Sequence, residues 1–303
     1  MTTREELIAM VDAYFEALAA RDAARLPLTA GFRLTENGEE RKLGDGLWAT
    51  SAPPRATGNY FTDTRTGQVG FFGVGYEGER PAIIGLRLKV DNARIAEAES
   101  VVSRPGSNLF NPQSVSARRP AYEEVLAPAR RRSRAELVAI THSYFNGIEH
   151  RDGEMILVHD DCARIENGMI TANRPADLPA GQAGAAALGG DPEMARRAQM
   201  GVAAQISAGI HGYITRVRDR RVVAVDEERG MTFGVYMFDH DGGEYIELRD
   251  GTRREMPQFA RTPSTAMIWE VFKIKDGLIV AVEAIGTVLP HGATHGWPTS
   301  VGA

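Results

Sequence analysis

Leu7, Val11, Tyr14, Phe15 and Leu18 recur at three- and four-residue spacing near the start of the chain, with mostly polar or small residues between them. That period predicts a helix with one apolar face. Thr3, followed three residues later by Glu6, supplies a capping box at its start. The device returns further on. Ser133 and Glu136 form a second capping box, and Leu137, Ile140, Tyr144, Phe145 and Ile148 form a second stripe. Residues 6–15 and 136–145 align without a gap at an offset of 130. The same offset carries Arg21 and Asp22 onto Arg151 and Asp152, and Glu36-Asn37-Gly38 onto Glu166-Asn167-Gly168. A fixed repeat of domain length reads as duplication of a whole domain.

After each helix come a short acidic or polar segment and the Glu-Asn-Gly turn, and further on the pattern shifts to alternation. Residues 68–76, 82–90 and 94–102 read as strands. Ala82, Ile84, Leu86, Leu88 and Val90 alternate with more polar neighbours, as in a half-buried antiparallel strand, and Asp91-Asn92 marks a hairpin. Residues 42–58, with Trp48, Pro53 and Pro54, read as loop. Residues 103–132, punctuated by four prolines, read as a linker with a short helix near 122–126. In the second half, 172–190 reads as a loop or lid and 191–211 as a helix. Residues 221–226 and 231–239 read as strands, 240–262 as a polar loop, and 266–274 with 278–288 as a terminal hairpin. Aligning the two terminal hairpins by their turns raises the offset to 184, which pairs Glu99 with Glu283 and places 54 extra residues in the second copy. The expected domains are residues 1–103 and 133–303, joined by the linker 104–132, in an α+β fold.

Composition narrows the classes. A length of 303 residues suits two domains, and 43% hydrophobic with 25% charged residues is ordinary for a globular protein. A formal net charge of −5 argues against nucleic acid as a partner. The single cysteine, Cys162, excludes an internal disulfide and a structural zinc site built from several thiolates. No apolar run approaches the roughly 18 residues of a membrane span, and the polar start lacks the apolar core of a signal peptide, so a cytoplasmic location is expected.

The order of elements resembles the nuclear transport factor 2-like (NTF2-like) superfamily, nearest to its SnoaL-like and scytalone dehydratase-like branch, with ketosteroid isomerase-like proteins also within it. The residues that carry the resemblance are the helix over 136–152, the strand over 265–274 and its return over 277–284. It implies two tandem copies of a cone: a curved antiparallel sheet with helices across its mouth and an apolar pocket inside. Members include cofactor-independent isomerases, dehydratases, cyclases and lyases, and also non-catalytic binding and dimerisation modules, so the fold alone does not decide function.

All seven histidines lie at position 142 or later. A histidine base would therefore put the active site in the second copy and leave the first as scaffold. His211, between Ile210 and Gly212, is the leading candidate for a base; the plainer alternative is a histidine at a helix C-terminus. Asp161, Glu283 and Tyr144 are candidate acids or hydrogen-bond donors; a solvated turn is the plainer reading of Asp161, and core packing, as for Tyr14 in the first copy, that of Tyr144. Glu283 lies in an apolar strand, and its counterpart Glu99 leaves a structural role open. Arg216, Tyr236, Trp269, His291 and Trp297 are candidate substrate contacts. His142, His150 and His159 lack the spacing of a helical metal site, and no glycine-rich phosphate loop opens a helix, so neither metal nor cofactor is expected. The expected activity is a cofactor-independent lyase or dehydratase on a small, apolar, hydroxylated aromatic or polyketide-like molecule. One form of it is an elimination that releases an aldehyde from an aryl-propane compound. Isomerase or cyclase chemistry and a non-catalytic, small-molecule-binding or homo-oligomeric protein are the alternatives.

Overall fold

The computed structural model describes residues 2–107, 109–175 and 196–298. Two copies of one arrangement follow each other. The first opens with α1 (Arg4–Ala20), continues through β1 (Leu28–Glu36), β2 (Glu39–Arg41), α2 (Leu47–Thr50) and β3 (Ser51–Asp63), and ends with β4 (Gln68–Glu77), β5 (Arg80–Asp91) and β6 (Arg94–Ser103). The linker carries two short helices, α3 (Pro112–Ser116) and α4 (Pro120–Glu123). The second copy runs through α5 (Arg134–His150), β7 (Val158–Glu166), β8 (Met169–Ala172), α6 (Val202–Ser207), β9 (Arg216–Asp226) and β10 (Met231–His240). It closes with the small hairpin of β11 (Tyr245–Glu247) and β12 (Arg253–Glu255), then β13 (Ser264–Lys275) and β14 (Leu278–Pro290).

The strand orders correspond one to one: β2-β1-β6-β5-β4-β3 in the first sheet and β8-β7-β14-β13-β10-β9 in the second. Each sheet is mixed, because β1 runs parallel to β6 and β7 parallel to β14, while the other neighbours are antiparallel. The capping boxes of α1 and α5 are both formed, and both helices stop at an arginine in the left-handed conformation, Arg21 and Arg151. The Glu-Asn-Gly motifs close the β1–β2 and β7–β8 hairpins, with positive φ at Asn37, Gly38, Asn167 and Gly168.

Several sequence expectations need correction. Residues 51–58 belong to β3 and not to a loop. Pro53 and Pro54 are accommodated because β3 is an edge strand whose register shifts between Ala52 and Thr57, where no ladder donor is needed. The polar segments after the first helices are strands β1 and β7, whose alternation is interrupted by exposed Ala30 and Gly31 in β1 and by the exposed run His159-Asp160-Asp161 in β7. The helix expected over 191–211 is limited, where described, to a turn near 196–198 and to α6, with Gly201 and Gly209 on either side of α6. Most of the expected 172–190 loop lies outside the described residues. The extra length of the second copy enters in two places, before β9 and between β10 and β13, where β11 and β12 replace the expected loop.

Each helix and sheet enclose a core of their own, and a third core lies between the two sheets. There the Phe233 ring sits where a Cβ of Gly70 would be, and a Cβ on Gly85 would meet Val101 at 2.8 Å and the Trp269 ring at 3.2 Å. Two glycines thus let the sheets come together back to back.

Candidate active site in the second cone

A cavity of about 920 Å³ opens in the second copy, on the sheet face opposite the inter-sheet core. Strand alternation decides which side chains reach it. From β7 come Arg164 and Glu166; from β13, Ala266, Ile268 and Glu270. α5 contributes Tyr144 and Ile148. The inserted segment before β9 supplies Gln205, His211, Tyr213 and Ile214, and Phe238 and His240 come from β10.

Arg164 is the centre of the polar network. It is buried, with Nε 3.0 Å from the Thr171 hydroxyl, Nη2 2.6 Å from Gln205 Oε1 and Nη1 3.4 Å from the Tyr144 hydroxyl. Glu166 lies 3.3 Å from its Nε. Gln205 is itself fixed, since its amide donates to the carbonyls of Thr171 and Arg197 at 2.6 and 2.7 Å. A guanidinium held by this many acceptors keeps its charge, and its pKa is raised further.

Two titratable groups around Arg164 are pushed into their neutral forms. Burial, with Glu166 adding to it, raises the Glu270 carboxyl to about 8 against the opposing pull of Arg164. Burial, reinforced by Arg164, drives His211 well below 6.5. Near pH 7 the cavity therefore holds a neutral imidazole and a protonated carboxyl. Among the described residues His211 Nδ1 and Glu270 Oε2 are buried without a hydrogen-bond partner. Arg151, at the left-handed end of α5, donates to the Gly212 carbonyl at 3.1 Å and so pins the turn that carries His211. His240, whose Nδ1 is 3.1 Å from the Ser264 hydroxyl, is depressed to about 4 by burial. Its ring, Tyr213 and Phe259 pack against one another in a triangle, with centroids 5.4–5.6 Å apart, forming an aromatic wall.

Of the residues singled out from sequence, His211 and Tyr144 reach the cavity. The others lie elsewhere, each for a local reason. Asp161 points to solvent on the outward side of β7, with a side chain 94% exposed. Glu283 alternates onto the inter-sheet side of β14. There it accepts hydrogen bonds from Arg119 at 3.1 and 3.2 Å and from the Tyr122 hydroxyl at 2.9 Å. Trp269, one position before Glu270, faces the inter-sheet core. Tyr236 is sealed beneath Phe145, with ring centroids 3.9 Å apart. Arg216 is exposed at the edge of the sheet. His291 is exposed, 3.4 Å from Asp241. Trp297 docks on the first copy, donating from Nε1 to the Thr35 hydroxyl at 2.8 Å beneath the Arg33 guanidinium. Sequence reasoning missed Arg164 and Glu270. For Glu270 the signal was available, a charged residue between Ile268 and Phe272 at alternate positions of a recognised strand; Arg164 lies on β7, whose strand pattern the sequence does not show.

These features define a tandem pair of α+β domains with a polar cavity in the second. The chain belongs to the family described as a domain of unknown function, DUF8021, whose model matches residues 130–286. No curated protein matches the chain. Among solved structures it is similar to AusH from Aspergillus nidulans, at 11% identity and a TM-score of 0.30, over 51% of this chain and 86% of that one. PrhC from Penicillium brasilianum is similar at 11% identity and a TM-score of 0.30, over 51% and 82%. An NTF2-like protein from Cytophaga hutchinsonii is similar at 14% identity and a TM-score of 0.27, over 52% and 99%. At such identities and TM-scores no chemistry carries over from these neighbours. Among the described residues no group of three or more His, Cys, Asp or Glu is placed to hold a metal ion, and no helix is long and apolar enough to cross a membrane.

Proposed function

We propose that the second copy is a cofactor-independent acid–base enzyme, a lyase or dehydratase, acting on a small, largely apolar, hydroxylated aromatic or polyketide-like molecule. The observation that carries this reading is a buried imidazole and a buried carboxyl lining one cavity, each with an unpartnered polar atom, beside a buried guanidinium; burial favours the neutral form of both. His211 takes a proton from carbon next to a substrate carbonyl, and Arg164 stabilises the oxyanion that develops. The electron pair then forms a carbon–carbon double bond. Glu270 gives its proton to the departing hydroxyl, which leaves as water. Arg164 opposes a charge on His211 in the empty site, and a substrate oxyanion beside the guanidinium offsets that opposition. The aromatic wall of Tyr213, His240 and Phe259 suits a flat ring.

Isomerisation needs the same base and acid, with Glu270 returning its proton to carbon in place of oxygen. The test is a panel of hydroxylated aryl and β-hydroxy carbonyl compounds in deuterated water, read by mass spectrometry. Loss of water supports the lyase, and deuterium uptake without loss of water supports the isomerase. Binding without either change in any compound, unaltered in His211→Ala, overturns both and leaves a binding protein.

A further inference from the structure

Two segments leave the sheets and cross to the opposite copy. After β14 the tail is tied first to its own copy, where Gly292 N–H donates to the Thr265 hydroxyl at 2.9 Å. It then lies on the first copy's Glu-Asn-Gly turn. A Cβ on Gly38 would collide with the Thr294 carbonyl oxygen, and Arg33 donates to the Gly296 carbonyl at 2.6 Å. After β6 the linker makes the corresponding crossing onto the second copy. A Cβ on Gly168 would collide with the Asn111 carbonyl oxygen, and Asn111 N–H donates to the Asn167 carbonyl at 2.8 Å. Each turn glycine is thus the seat of the strap that comes from the other copy.

The linker strap also passes over the polar cavity. Arg104, Pro105, Gly106, Ser107 and Leu109 line the mouth, with Asn37 of the first copy beside them. This strap is held from the first copy. Arg104 donates from Nε to Glu77 Oε2 at 2.7 Å, and from Nη2 to Glu77 Oε1 at 3.0 Å and Glu36 Oε1 at 3.3 Å. Glu36 is fixed in turn by the Leu47 N–H at 2.8 Å. Inside the strap the Ser107 hydroxyl donates to the Arg104 carbonyl at 2.9 Å, around the left-handed Gly106. With the charge of Arg104 engaged by two carboxylates, Pro105 and Leu109 set the character of this wall.

We propose that the strap is a specificity-determining wall of the second copy's cavity, limiting how far a ligand extends beyond its polar end, with Arg104 as its positioning residue. The first copy then shapes the site without supplying its chemistry. The inference rests on the reading of that cavity as the ligand site.

The test uses the full chain and two probes that share a head, 2-naphthol and 6-phenyl-2-naphthol, titrated by their fluorescence. Leu109→Trp is expected to weaken the longer probe by about tenfold and 2-naphthol by less than about twofold. Arg104→Ala, which frees the strap and does not fill the mouth, is expected to change the ratio of the two dissociation constants by about threefold or more, with 2-naphthol nearly unchanged. Thermal unfolding identifies a variant that fails to fold, in which case the other decides. Equal shifts for both probes, or none, overturn the proposal. Arg164→Met separates the readings: if neither probe binds the natural chain, or binding ignores Arg164→Met, the cavity reading itself falls and the strap proposal with it.

Discussion

The two cones share a helix, a strand order and a turn, and fill their interiors with opposite chemistry. Strand register makes the comparison residue by residue. Leu34 pairs with Ala98 where Arg164 pairs with Val282, and Leu86 pairs with Phe71 where Glu270 pairs with Gly234. In the first cone Leu34 and Leu86 join Tyr14, Phe71 and Trp48 in one apolar core, and Trp48 Nε1 donates to the Tyr14 hydroxyl at 3.0 Å. In the second, the equivalent Tyr144 hydroxyl receives Arg164 at the edge of a cavity. The fold thus tolerates either a packed or a polar interior. Two charged residues, and an insertion bearing Gln205 and His211, account for the difference.

The largest expected effect comes from making the second cone resemble the first. Arg164→Leu combined with Glu270→Leu is expected to abolish turnover of any substrate found by the panel. It should also lower stability by about 1–3 kcal/mol, because the Gln205 amide oxygen and the Tyr144 hydroxyl lose the guanidinium that satisfies them. Denaturant unfolding alongside the activity assay checks this, and a variant that still turns over breaks the comparison. His211→Ala is expected to lower kcat by about 100- to 10,000-fold with little change in binding.

Glu270→Gln sharpens the comparison through pH. The folded carboxyl, raised to about 8 from 4.5, makes a contribution to stability that is complete below about pH 4.5 and is lost as pH rises through 8. The variant is therefore expected to gain stability over the natural chain steadily from pH 5 to about pH 9, with Glu166 and Arg164 as the charged neighbours on either side of the balance. In the natural chain, activity should fall above about pH 8 as the acid is lost. It should hold below pH 6.5, because His211 stays neutral there. A bell centred near 6.5 would contradict this assignment. The smallest effect is expected in the first cone, where Tyr14→Phe costs about 1–2 kcal/mol of stability by stranding the Trp48 N–H and leaves turnover unchanged.

Much of the fold was legible because local signals repeat. Capping boxes, apolar stripes, the Arg-Asp helix ends and the Glu-Asn-Gly turns appear at one offset and form in both copies. β1 and β7 were not legible. Their partners, β6 and β14, are parallel and distant in sequence, and most of their own positions are exposed or only half-buried. His211 and Tyr144, singled out from residue type and helix face, both line the cavity. Glu283 and Trp269 were misplaced onto the cavity side, where a one-residue difference in alternation separates the two faces of a strand.

Taken alone, the sequence established the duplication, the starts and ends of the two long helices, and the restriction of every histidine to positions 142 and beyond. These depend on neighbours within a few residues or on direct repetition. Which charged residues are buried together, which sheet face is a cavity and which is an inter-sheet core, and the crossing of each strap to the other copy were decided only in three dimensions. They depend on strand register and on contacts between residues more than a hundred positions apart, such as Arg119 with Glu283 or Arg33 with Gly296. Burial, which sets the protonation of His211 and Glu270, is a property of that packing and of no single segment.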